Sequence, residues 1–86
     1  MDEIPKLRKK VDEIDDKILT ALCERVKVCK AIGSAKKKQG MPIRDTSRED
    51  EVFKRIKEKS AQFGLDSGQV EVVYREIVNM CSAVQE

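Results

Sequence analysis

The feature that most constrains this chain is a run of apolar residues at alternating spacings of three and four: Ile4, Leu7, Val11, Ile14, Ile18, Ala21, Val28, Ile32 and Ala35. That spacing is a heptad seam, one apolar stripe along one helix, with a single gap at position 25. Neither Gly nor Pro interrupts it between Pro5, which a first helical turn tolerates, and Gly33; Gly40 with Pro42 just beyond supplies a stop. Gly33 is the weak point, present either to allow close packing or simply as a cost in helix propensity. The seam predicts a helix over about residues 5–39, roughly 50 Å long at 1.5 Å per residue.

Two ordinary helices follow. Thr46 with Glu49 three residues on fits a capping box, opening a helix over about residues 47–63 with Val52, Phe53, Ile56, Ser60 and Phe63 on its apolar side. Gly64 stops it. Asp66 with Gln69 repeats the cap spacing for a helix over about residues 67–85, whose apolar side is Val70, Val73, Tyr74, Ile77, Cys81 and Val84. The expected fold is all-α, a single domain over residues 1–86, with no room for a separate regulatory domain. Each short helix spans only about 25 Å. Stacked end to end they could follow the seam, but folded back they leave much of it bare, which is disfavoured. The seam therefore predicts an intertwined helical homodimer.

Charged and hydrophobic residues each make up 40% of the chain, with two Pro and four Gly, a composition for a globular fold and not for a low-complexity linker. Eighteen basic against 16 acidic residues leave a net charge of +2, and the aromatics are one Tyr and two Phe. A nucleic-acid-binding three-helix domain is disfavoured on both counts. The basic runs Lys9-Lys10 and Lys36-Lys37-Lys38 fall mostly on solvated helix faces. No apolar stretch reaches 18 residues and the acidic start resembles no signal peptide, so the default location is the cytoplasm. Three cysteines, without CxxC spacing and without any histidine, are expected to be reduced packing residues, with neither a disulfide framework nor a metal site.

Function has to come from charges on apolar faces. Arg25 fills the gap in the heptad, and a guanidinium there needs a protein carboxylate or a ligand anion. A structural ion pair or a register-selecting interface residue is the plainer alternative. Lys36 lies eleven residues on, three turns to within about 20° and about 16 Å further along the axis, so the two cations share a face and can clamp an anion. Leu22 and Cys29 flank them as apolar walls. Arg8 precedes Arg25 by seventeen residues, or about 25 Å, too far to share one small ligand within a subunit. Arg8 is then either a surface residue of the Lys6-Arg8-Lys9-Lys10 cluster or a contribution to a site on the partner of an antiparallel dimer. Glu49 faces inward or only caps its helix; Arg48 points at an anion near the helix N-terminus or at solvent. Gln85 follows Cys81 by four and puts a neutral amide at the end of an apolar face, unless the chain end frays.

Cations, a carboxylate and an amide, without histidine or an obvious nucleophile pair, suit a site that holds a small dianion in one shape. Such a site accelerates a reaction by restricting conformation and by placing positive charge where negative charge grows.

The stretches Leu7-Arg8-Lys9-Lys10-Val11-Asp12-Glu13-Ile14-Asp15, Glu24-Arg25, Lys36, Pro42-Ile43-Arg44-Asp45, Arg48-Glu49, Gly64-Leu65-Asp66 and Gln85, in that order and spacing, resemble the small all-helical dimeric chorismate mutases over essentially the whole chain. The resemblance implies rearrangement of chorismate to prephenate, an isomerisation without cofactor or metal, at the shikimate-pathway branch toward phenylalanine and tyrosine. It implies a homodimer with two sites, in which Arg8 enters the partner's site to bind a substrate carboxylate and Arg25 binds a carboxylate within its own. Lys36 would contact a carboxylate and the ether oxygen of the breaking C–O bond, Gln85 would donate to that oxygen, and Glu49 would accept from the ring hydroxyl. Asp45 and Arg48 would line the pocket at its hydroxyl and carboxylate ends. Cys81 stands where relatives often carry serine, with Ser82 turned away by about 100°. A thiol is a weaker donor, so the resemblance implies somewhat weaker binding there. The rivals are an isochorismate pyruvate-lyase of the same fold and a non-catalytic helical interaction module.

Overall fold

A computed structural model describes residues 2–86. The element order is α1 (Glu3–Gln39), α2 (Thr46–Gln62) and α3 (Ser67–Ala83), so the fold is all-α with one long helix and two short ones. Among the described residues no helix is long and apolar enough to cross a membrane.

Local chemistry explains four of the six helix boundaries. The 37 residues of α1 end in a Schellman turn: Gly40 sits at φ 67°, its N–H donates to Lys37 O, and Met41 N–H donates to Lys36 O at 2.9 Å. Gly64, at φ 73°, closes α2 in the same way through Leu65 N–H to Ser60 O. Asp66 caps α3 by accepting from Gln69 N–H at 3.0 Å, at the spacing anticipated. The start of α2 differs from expectation. Asp45, in extended conformation, accepts from Arg48 N–H at 3.1 Å, so the cap is Asp45 and not Thr46. A carboxylate one residue earlier competes successfully with the threonine hydroxyl for the free N–H groups.

α2 and α3 pack side by side as a helical hairpin, and α3 crosses α1 near its C-terminal half; α1 and α2 do not pack directly on each other. Glu71 bridges Lys57 and Arg75, and Arg75 lies over the Phe53 ring at 4.8 Å, tying the hairpin together on its exposed side. The apolar core comprises Cys29, Ile56, Val78 and Cys81, and Ser60 is buried beside it with its hydroxyl bonded back to Ile56 O. Phe63, anticipated on the apolar side of α2, is instead 76% exposed: it follows the last turn and points off the end of the hairpin.

The stripe of α1 that α3 covers is not the heptad seam. Cys29 and Gly33 are buried there, while Ile4, Leu7, Val11, Ile14 and Ile18 are each about half exposed. Every residue from Asp2 to Ala21 is exposed. The radius of gyration is 16.3 Å, against about 12 Å for a compact chain of this length. The single chain thus leaves a long apolar stripe uncovered.

Candidate active site

α1 contributes the cations. Because Arg25, Cys29 and Lys36 recur at helical spacing, they project along one side of α1 toward the place where α3 crosses it. Arg25 Nη1 donates to Cys81 Sγ at 2.7 Å and lies 3.9 Å from Cys29 Sγ. Sulfur is a weak acceptor, and among the described residues Arg25 enters no ion pair. Cys29 does not neutralise it either. Burial, and then the neighbouring Cys81 thiol, push the Cys29 thiol above its ordinary value, outweighing the opposite pull of Arg25 and Lys36. The guanidinium is half-buried with its charge uncompensated.

Three turns along, Lys36 Nζ donates to the backbone carbonyl of Ile43 and, at 3.1 Å, to Gln85 Oε1. It too lacks a carboxylate partner among the described residues. Gln85 lies just beyond α3, in a tightened turn whose N–H donates to Ser82 O at 3.1 Å. Its side-chain amide donates to Cys81 O at 3.3 Å, which leaves a second N–H beside Lys36. In this structure the turn is seated on α1 and not frayed.

α2 forms the opposite wall. Asp45 is there as the helix cap, and Glu49, half-buried, accepts from Arg44 at 3.2 and 3.4 Å. Arg44 also donates to Asn79 Oδ1 at 3.1 Å, so a residue of α3 steadies the arginine that steadies Glu49. With its side chain 22% exposed and lining the cleft between α1 and α2, Glu49 is not merely a cap. Arg48 is mostly exposed and paired with Glu51 at 3.2 Å.

Together these groups line one cleft of about 450 Å³, the gap between α1 and α2 with α3 as its floor. That is ample for a small metabolite. Arg25, Lys36, Asp45, Arg48, Glu49, Cys81 and Gln85 all line it, whereas Arg8 does not. Arg8 is exposed on the uncovered half of α1, about 25 Å along the axis from Arg25. Two expectations are corrected. Leu22 is not part of the lining; Val28 and Ile32 of the seam are, because the cleft extends from Arg25 toward the C-terminal end of α1. Ser82 lines the cleft beside Cys81 and is not turned out of it, since the crossing buries two adjacent positions of α3 at once.

Ile43, Val52 and Val78 complete the walls, and neither they nor Arg44 stood out as site residues from the sequence. Val52 and Val78 carry the helical apolar period, so only the crossing geometry separates them from ordinary core residues. A second cleft of about 430 Å³ runs between α2 and α3, but Glu71, Lys57 and Arg75 satisfy one another there. Its charged lining, Glu49, Asp50, Lys54, Lys57, Glu71 and Arg75, is balanced in sign.

A helical chain that leaves two cations unpaired in a half-open, apolar-walled cleft, with an amide and a carboxylate facing them, is equipped as a receptor for a small organic anion. Comparison with known proteins specifies the class further. The chain belongs to the chorismate mutase type II family, whose profile matches residues 7–86. It is 38% identical to a bifunctional chorismate mutase/prephenate dehydratase of Aquifex aeolicus, over all of this chain and 25% of that protein. It is 29% identical to a chorismate mutase of Methanocaldococcus jannaschii, over all of this chain and 87% of that protein. The chain thus spans a quarter of the first relative and most of the second. A solved structure of a conserved hypothetical protein from Pyrococcus furiosus is similar at a TM-score of 0.80 and 31% identity, covering 96% of this chain and 95% of that one.

Proposed function

We propose that this chain converts chorismate to prephenate, at the branch leading to phenylalanine and tyrosine, and does so as a cytoplasmic homodimer. The observation that carries the reading is the convergence of Arg25 and Lys36 on one cleft without a protein carboxylate between them. A dicarboxylate would satisfy both charges, and the family and the names of the relatives support chorismate as that dianion.

The rearrangement is unimolecular: the ether C–O bond breaks as a C–C bond forms, and no group leaves the molecule. Catalysis then needs a substrate held in its compact conformer and donors where charge collects on the ether oxygen. Lys36 Nζ and the Gln85 amide, in contact with each other, are the donor pair in this proposal. Arg25 holds one carboxylate, Glu49 accepts from the ring hydroxyl, and Asp45 and Arg48 serve the hydroxyl and carboxylate ends. Val28, Ile32 and Val52 shield the ring from water.

The second subunit is part of the proposal. The exposed stripe Ile4, Leu7, Val11, Ile14 and Ile18 supports it, because an antiparallel partner helix would cover those residues. The same arrangement would carry Arg8 of the partner subunit to the open side of the cleft. The free thiols Cys23, Cys29 and Cys81 are consistent with a reducing compartment.

Purified protein supplied with chorismate should consume the ring diene absorbance in ultraviolet light and yield prephenate. Supplied with isochorismate, it should not yield salicylate and pyruvate as its principal products. Exclusive lyase products, or no turnover of chorismate by folded protein, would overturn the reading.

A further inference from the structure

Gly33 is buried in the interior of α1, a place where glycine is the poorest helix former after proline. Its backbone is helical, so no left-handed turn calls for it; the glycines with positive φ are Gly40 and Gly64. The reason lies across the α1–α3 junction. A Cβ at position 33 would stand 2.9 Å from Gln85 Cα and 3.0 Å from Gln85 Cβ and Cγ. Carbon atoms in ordinary contact stand about 3.5–4.0 Å apart, so such a methyl has no room. Its nearest neighbour is main chain, so a new rotamer of Gln85 does not relieve the clash. The turn after Ala83 has to lift.

Apart from a long bond from Lys37 Nζ to Glu86 O at 3.4 Å, that turn has few other anchors. α3 ends at Ala83, and Gln85 is held by its own N–H to Ser82 O and by its amide to Cys81 O, both internal to the same turn. Lys36 lies three residues beyond Gly33 on α1, and its Nζ reaches Gln85 Oε1 at 3.1 Å. Bare backbone at 33 and the ammonium at 36 thus grip one residue at two points.

We infer that Gly33 is a positioning residue: by presenting no side chain, it seats the last turn close enough for the Gln85 amide to lie against Lys36. The inference rests on the functional reading above, which assigns those two groups to the ether oxygen. Gly33 itself touches no substrate.

The experiment compares Gly33→Ala, Gln85→Ala and the double variant with the wild-type protein. Gly33→Ala should keep its helicity and its Tm, since alanine favours the helix and the displaced turn lies beyond the end of α3. Its kcat should fall by about 10- to 100-fold, to near that of Gln85→Ala, while KM changes by less than about threefold because Arg25 and Lys36 remain. The double variant should be no slower than Gln85→Ala alone, because both substitutions remove the same interaction. The side-chain amide resonances of Gln85, assigned by their loss in Gln85→Ala, should shift in Gly33→Ala without reference to turnover. Unchanged kcat in Gly33→Ala, or additive losses in the double variant, would overturn the inference. If wild-type protein fails to turn over chorismate, the functional reading fails instead, and the amide resonances alone decide whether Gly33 seats Gln85. If Gly33→Ala lowers Tm, the same substitution in a chain ending at Val84 should be silent; an equal loss there would also overturn the inference.

Discussion

Arg25 and Cys81, 56 residues apart in sequence, meet across the junction of α1 and α3, with the guanidinium donating to the thiol sulfur at 2.7 Å. The pairing orients the cation without neutralising it. A carboxylate in place of Cys81 would have made a structural ion pair; a thiol leaves the charge available to a ligand.

Arg25→Leu should therefore separate function from stability. Removing a half-buried charge that has no anionic partner should leave Tm unchanged or raised, whereas kcat/KM for chorismate should fall by about 10²–10³-fold. Thermal melts and the ultraviolet assay on the same preparation check both halves, and wild-type turnover with higher stability would favour an interaction module instead.

Arg44→Ala should act through Glu49. Exposed ion pairs contribute about 0–1 kcal/mol, so Tm should drop by no more than about 8 °C. Without Arg44 the Glu49 carboxylate loses its bonds at 3.2 and 3.4 Å and its link through Arg44 to Asn79. A loss of about tenfold in kcat/KM is expected from the freed carboxylate, measurable in steady-state kinetics.

Mixing inactive Arg8→Ala chains with inactive Lys36→Ala chains tests the shared site. Random exchange makes half of the dimers mixed, and each mixed dimer holds one intact site of two, so roughly a quarter of wild-type activity should return. No recovery after exchange has been demonstrated by mass would place Arg8 outside the site.

Gly64→Ala should do the opposite of Arg25→Leu. Gly64 sits at φ 73° with open space around its Cα, so the only cost of a methyl is left-handed backbone strain of about 1–2 kcal/mol. Tm should fall by about 4–8 °C per kcal/mol while kcat stays at the wild-type value, because the turn lies away from the cleft.

The Cys29 thiol predicts an alkaline weakness. Its folded value is raised above the ordinary 9.0 by burial and by Cys81, so the unfolded chain loses this proton first as pH rises. The stability linked to Cys29 is complete below about pH 9 and declines as pH climbs toward the raised folded value. Denaturant melts from pH 7 to 10 should show a smaller alkaline decline for Cys29→Ala than for wild type; equal declines would contradict this role.

Several parts of this protein were legible in the order of its residues. The heptad from Ile4 to Ala35 specified a long helix, Asp66 and the glycines at 40 and 64 marked helix ends, and the spacing of Arg25 and Lys36 put two cations on one face. These are properties of a repeat read along one chain segment, where neighbours three and four residues apart define a face. Of the residues singled out by the family resemblance, Arg25, Lys36, Asp45, Arg48, Glu49, Cys81 and Gln85 line one cleft and Arg8 does not.

Tertiary structure decided what lies across each junction. The strong apolar stripe pointed to a second subunit, and within the chain α3 took the weaker stripe of Cys29 and Gly33 and left Ile4 to Ile18 half exposed. Whether Gly33 was a packing device or a defect, whether Glu49 capped or faced inward, and whether Gln85 was seated all depended on contacts with residues far away in sequence. Those contacts follow from the angle and offset at which helices cross, and no periodicity within one helix encodes either quantity.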